Sequence, residues 1–172
     1  MSSVLAIKFR IALFGFKSVA DSGDDAIFQV VFKSPEFDES IKTFEKACEE
    51  VCKDKQLKKT FHLAINDIRE SHEAKEIEDL FKEHKFKRAV TALEKIYIAI
   101  YCKADEYNSE YQHFLNEVKR IAGSQLKEKK TGSVRMWMKI VFGAATAAAV
   151  AAAYVKKRNK EKEKEKKSSI PG

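Results

Sequence analysis

Residues 4–16 read VLAIKFRIALFGF, and the fold turns on the period of that run. Leu5, Ile7, Phe9, Ile11 and Leu13 are apolar at alternate positions, with Lys8 and Arg10 on the other side. A period of two marks a strand with one buried face. Yet Leu5, Phe9, Ala12, Leu13 and Phe16 also form a helical stripe. The Ile, Phe and Val content favours the strand. A second strand-like run, AIFQVVF at 26–32, follows Asp21-Ser-Gly-Asp-Asp25, which is turn chemistry. The expectation over residues 1–33 is therefore a β-hairpin. Its rivals are an N-terminal helix and a mitochondrial transit peptide, because no acid precedes Asp21. Lys8 and Arg10 interrupt the unbroken apolar run that a secretory signal needs.

Residues 34–122 read as a helical bundle. Ser34-Pro35-Glu36 places an N-cap, a proline at the first helical position and an acid in the first turn. Phe37, Ile41, Phe44, Cys48 and Val51 follow as one apolar stripe. A second helix carries Leu57, Phe61, Ala64, Ile65 and Ile68, and a third holds Ile77, Leu80 and Phe81. A fourth runs from about Lys87 with Ala89, Val90, Leu93, Ile96, Tyr97 and Ile100. A fifth holds Tyr107, Tyr111, Phe114, Leu115, Val118 and Ile121, with Gly123 as its stop. Each stripe is half apolar and half charged, so the helices bury surface only by packing on one another.

Within the bundle, residues 77–100 resemble half of a tetratricopeptide-type helix pair. Phe86, Ala89, Leu93 and Ile96 carry the resemblance, which covers about 24 residues. His84 stands where that pattern usually has Gly before the turn, and no second copy follows at its period. The resemblance assigns the chain to no family.

A second apolar run lies near the other end. Residues 136–155 contain Trp137, Ile140, Val141, Phe142, Gly143, Ala147, Val150, Ala151, Tyr154 and Val155, and no charge falls between 140 and 155. An all-round apolar helix must be buried in protein or lipid. From 136 to 155 it spans about 30 Å, the thickness of a hydrocarbon core, with Trp137 and Tyr154 near its two ends. The expectation is one transmembrane helix. The alternative is a hydrophobic helix inside a soluble bundle, since alanine contributes little burial per residue. Gly143, Ala147 and Ala151 stand four apart and offer a homodimer face. The linker 123–135 is basic, and Lys127, Lys129, Lys130 and Arg135, with Lys156, Lys157 and Arg158 beyond the helix, are the expected headgroup contacts. Residues 156–172 form a charged, low-complexity tail too polar for a core.

The formal charge of +7 is unevenly placed. From Lys119 onward there are 15 basic and 4 acidic side chains, against 18 and 22 in residues 1–118. The body is thus slightly acidic, which argues against nucleic acid as a partner. Three cysteines are an odd number and read as reduced thiols. Cys48 and Cys52 lack further ligands at metal-site spacing, and core packing is their simpler reading. His62, His72, His84 and His113 fall in no catalytic motif, the local group His72, Glu73 and Glu76 included. No enzyme, cofactor or metal is expected.

Together these readings describe a tail-anchored, single-pass membrane adaptor or receptor. Its helical domain would recruit a cytosolic protein partner to an organelle membrane. The mitochondrial outer membrane is favoured, with the peroxisome and endoplasmic reticulum as alternatives. Two other functions fit the same pattern: a small accessory subunit of a membrane complex, and a membrane-inserting, pore-forming helical protein.

Overall fold

The computed structural model describes residues 3–23, 25–75, 79–122, 163, 164 and 166–169. Among them the elements are all helices: α1 (Ser3–Ser22), α2 (Asp25–Phe32), α3 (Pro35–Val51), α4 (Lys55–His72), α5 (Asp79–Tyr101) and α6 (Ala104–Ala122). The described tail residues are helical or bent and exposed.

The expected N-terminal hairpin is replaced by α1 and α2, and the reason is burial. A two-stranded hairpin is marginal alone and buries one face. As a helix the same residues satisfy their backbone internally and can be buried on several sides at once. α1 packs on α2, α3, α5 and α6. Leu5, Phe9, Ala12, Leu13, Phe14, Phe16, Val19 and Ala20 are all buried along it. A run that is apolar on several sides satisfies the two-residue and the 3.6-residue period together. The turn chemistry holds at Gly23, which at φ +61° ends α1 in the left-handed conformation that glycine adopts without strain.

α3 starts as its local sequence dictates. The Ser34 side chain accepts from the Phe37 amide at 3.2 Å, and Pro35 takes the first position. Asp54 caps α4 in the same way, accepting from Gln56 at 2.7 Å and Leu57 at 3.2 Å. The expected core residues Phe37, Ile41, Phe44 and Cys48 of α3, and Phe61, Ala64, Ile65 and Ile68 of α4, are buried.

α5 corrects a second expectation. The helices predicted around Leu80 and Phe81 and from about Lys87 are one continuous element, so the turn implied by the tetratricopeptide resemblance at His84 is absent. Nothing between Asp79 and Tyr101 is glycine or proline, so nothing in the chain breaks the helix there. Phe81, placed in an apolar stripe by the sequence, is 81% exposed. α4 and α5 run antiparallel: buried Ser71 donates to the Asp67 carbonyl at 2.8 Å and to the Lys82 carbonyl at 3.2 Å, and Lys85 meets Glu70 at 2.8 Å. That last pair is exposed, so solvent screens it.

The core is aromatic and centred on α1. Phe9 lies 4.9 Å from Phe44, 5.5 Å from Tyr97 and 6.1 Å from Phe61, touching α3, α5 and α4 in turn. Phe16 meets Phe37, Phe44 and Phe86 within 5.2–5.8 Å. Short α2 closes one end through Phe28 and Phe32, both against Phe86.

No helix among the described residues is long and apolar enough to cross a membrane. α1 has the length, at 20 residues, but carries Lys8, Arg10, Lys17 and Asp21. This finding stands against the transmembrane, tail-anchored reading and against its mitochondrial outer membrane address, together with the peroxisomal and endoplasmic reticulum alternatives. Trp137, Ile140, Val141, Phe142, Gly143, Ala147, Val150, Ala151, Tyr154 and Val155, on which that reading rests, lie outside the described residues. So do Lys127, Lys129, Lys130, Arg135, Lys156, Lys157 and Arg158.

Truncating the hub and truncating an exposed ring should differ sharply. Phe9→Ala is expected to cost about 3–5 kcal/mol, and Phe81→Ala to stay within about 0.5 kcal/mol of wild type. Urea unfolding followed by circular dichroism measures both; equal losses would show that Phe9 is not the centre of the core.

Candidate functional site

Helical spacing divides α1 into three faces. Leu5, Phe9, Ala12, Phe16 and Val19 form the first and enter the aromatic core. Arg10, Phe14, Lys17 and Asp21, at spacings of 4, 3 and 4, form the second and meet α5 and α6. Val4, Ile7, Ile11, Gly15 and Ser18 form the third, and its first half is open. Val4 is 60% exposed, Ile7 and Ile11 are half-buried, and Gly15 and Ser18 are buried.

The second face is a seam of charges that runs from buried Arg10 through half-buried Lys17 to exposed Asp21. Arg10 is buried; its Nε donates to the Tyr97 hydroxyl and lies 3.3 Å from Glu110 Oε2, and its guanidinium carbon sits 5.6 Å from the centre of the Tyr97 ring. Two turns further along, Lys17 Nζ meets Glu94 Oε1 at 2.6 Å and lies 4.4 Å from the Tyr111 ring centre. The Tyr111 hydroxyl donates to Asp21 Oδ2 at 2.8 Å. α1 thereby holds α5 through Tyr97 and Glu94, and α6 through Glu110 and Tyr111. Arg10 and Lys8, on one side of a strand in the sequence reading, separate on the helix: Lys8 is exposed and Arg10 buried. The spacing 10, 14, 17, 21 was the available signal for this seam, legible only once the run is taken as helix.

Burial governs the protonation of the seam. It pushes the Tyr97 hydroxyl up to about 12, against the opposing pull of Arg10. The Tyr107 and Tyr111 hydroxyls also move up, first from burial and then from nearby carboxylates, Glu94 and Asp21 respectively. Cys48 behaves similarly: burial, then neighbouring Cys52, push its thiol up to about 11. Its Sγ lies 4.0 Å from His62 Nε2, and it packs in the core as expected. The His72 ring stacks on Phe37 at 5.2 Å, while Glu76 of the expected local group lies outside the described residues. No group of three metal-ligating side chains converges among the described residues.

On the surface, a shallow groove of about 220 Å³ runs between the start of α1 and α3. Val4 and Leu5 provide its apolar part, and Lys8, Lys42 and Lys46 alternate with Glu39 and Glu50 around it. That volume falls below the range of about 300–1,000 Å³ typical of small-molecule pockets. It suits one or two side chains presented by another helix. The sequence singled out Leu5 and Lys8 only as a core residue and a charge opposite it, not as a site, because the groove is made by two segments separated by more than 30 positions. Leu63 on α4, 56% exposed, and Phe81 are the other large apolar side chains exposed among the described residues.

Comparison of the chain with protein-family models, with curated proteins and with solved structures finds no match.

Stability should fall at high pH in a defined order. Cys48 and Tyr97 are held neutral in the fold, so their contribution is complete below the ordinary values of 9.0 and 10.0. It is lost as pH rises through about 11 for the thiol and about 12 for the phenol. Cys48→Ala should lower the melting temperature at pH 8 while flattening its fall between pH 9 and 11; an unchanged slope there would remove the thiol from the account. Glu110→Gln, which leaves Arg10 short of its counter-charge, should cost about 3–5 kcal/mol at neutral pH in the same melts.

Proposed function

We propose that this chain is a recruitment adaptor: a helical module that binds a protein partner and acts by holding it in place rather than by catalysing a reaction. The observation that carries this reading is the groove between α1 and α3, with Val4 left 60% exposed on the helix that is otherwise the centre of the core. A partner helix would set one or two aliphatic side chains against Val4 and Leu5, the helix-in-groove mode of recognition. Lys8, Lys42 and Lys46 would face acids on that helix, and Glu39 and Glu50 would face its bases. Such a rim selects partners and orientation more than it adds affinity. Protein is preferred over nucleic acid because residues 1–118 carry 18 basic against 22 acidic side chains. Its effect would be to raise the local concentration of whatever it holds.

A second reading, a small accessory subunit of a larger assembly, is favoured by Phe81 at 81% exposure on a different side of the bundle. Photo-crosslinking separates the two. A crosslinking residue at Lys46, beside the groove, should capture one defined protein that a probe at Lys95 on the outer side of α5 does not. Val4→Asp should abolish that capture while leaving the helical spectrum intact. Identical capture profiles from the two positions would refute a groove-centred adaptor, and capture only near Phe81 would support the subunit.

A further inference from the structure

α3 ends in two thiols one turn apart, beside a histidine of α4. We propose that Cys48 and Cys52 form a dithiol site that reacts with small-molecule disulfides. Cys52 is the entry thiol, Cys48 closes an intramolecular bridge to it, and His62 takes up the Cys48 proton.

The backbone sets the pair. The Cys52 amide donates to the Cys48 carbonyl at 3.1 Å, so one helical turn separates the two residues. Their Cα atoms are then about 6 Å apart, inside the range of about 4.4–6.8 Å that a disulfide spans. The Cβ atoms of such a pair stand about 5–6 Å apart on a regular helix, and a bridge needs about 3.5–4.5 Å. The last turn must therefore tighten by about 1–2 Å. It is well placed to do so. Cys52 has left helical dihedrals, at φ −81° and ψ 80°, and only exposed Lys53 and Asp54 separate it from α4.

The surroundings give the two thiols unequal roles. Cys48 is 1% exposed, whereas Cys52 is half-buried and open to a dissolved reagent. Burial, and after it the neighbouring Cys52, push the Cys48 thiol up, which leaves it the slower of the two to meet an oxidant. Lys58 of α4 pulls the same thiol in the opposite direction. His62 Nε2 lies 4.0 Å from Cys48 Sγ on an exposed residue, so the buried thiol has a route for its proton to water.

The third cysteine supplies the comparison. Cys102 follows α5 as Cys52 follows α3: it is half-buried, and its amide donates to the Ile98 carbonyl at 3.3 Å. One turn before it stands an isoleucine, where Cys52 has a second thiol.

The chemistry balances in two exchanges. The Cys52 thiolate attacks one sulfur of a disulfide RSSR, whose S–S bond breaks as the mixed disulfide Cys52–SR forms. The RS⁻ that leaves takes up the proton that Cys52 gave to solvent. Cys48 then passes its proton to His62 and attacks Cys52 Sγ. The second RS⁻ leaves and takes that proton from His62. Two electrons have moved from the two cysteines to RSSR, which ends as two RSH. The bridge closes the turn that carries Glu50 of the groove, but the site does not rest on the adaptor reading.

The test adds oxidised glutathione to the reduced full chain, quenches by alkylation and weighs tryptic peptides. Peptide 47–53 holds both cysteines between Lys46 and Lys53, so the bridge is read within one fragment. The expected product is this peptide, unalkylated and lighter by two hydrogens, formed at least tenfold faster than glutathione adds to Cys102. In Cys48→Ser, glutathione should stay on Cys52. In His62→Gln, the mixed disulfide should form at the wild-type rate and close about tenfold more slowly. A lasting glutathione adduct on wild-type Cys52, a bridge from Cys52 to Cys102, or equal rates at those two positions would overturn the proposal. An unchanged closing rate in His62→Gln would overturn the role given to the histidine. The wild-type peptide masses decide the matter even where Cys48→Ser does not fold. No partner protein takes part, so a failure here leaves the adaptor reading to its own experiment.

Discussion

Burying α1 among α3, α5 and α6 obliges its charges to find opposite charges inside the bundle, and much of the architecture answers that requirement. Arg10 cannot leave its helix, so α6 must bring Glu110 to it and α5 must bring Tyr97. Lys17, two turns on, draws Glu94 from α5, and Asp21 takes the hydroxyl of Tyr111. A charge buried without such company would cost several kcal/mol. Helix positions that would put these residues out of register are penalised accordingly. The aromatic core supplies the bulk of the burial, whereas the seam specifies which rotation and which height each outer helix takes against α1.

This division of labour also assigns distinct work to the three faces of one helix. The Phe9 and Phe16 face is filled by rings from α3, α4 and α5. The Arg10 and Lys17 face is polar, and its two cations meet Glu110 and Glu94. The face of Val4, Ile7 and Ile11 is aliphatic and only partly covered. An aliphatic strip on the most central helix of a domain is unusual placement for surface residues. It is the physical basis for proposing that a partner meets the molecule here.

How much of this was legible beforehand depended on how local each signal is. The starts of α3 and α4 follow from Ser34-Pro35 and Asp54, whose side chains cap the adjacent amides. The buried residues of α3, α4 and α6 follow from a single stripe each, because one side of those helices faces water. α1 defeats the same reasoning: apolar on several sides, it satisfies both periods, and residue preferences then point to strand. The apparent break near His84 is likewise a matter of pattern, since an interrupted stripe reads as an interrupted helix although the helix runs on. The groove joins Val4 to Lys46 across some forty positions, and no feature of either segment alone announces it.

By itself the sequence determined a helical body, the caps and inward residues of its amphipathic helices, the glycine turn after α1 and the contrast between an acidic body and a basic end. These are consequences of a few neighbouring side chains and of whether one face of a helix meets solvent. Only the tertiary structure decided that residues 3–22 are a helix at the centre, that Arg10 is buried while Lys8 is not, and that Val4 at the start of α1 lies open. Those outcomes depend on which distant helices supply carboxylates, rings and cover, and a chain read in order carries no measure of that.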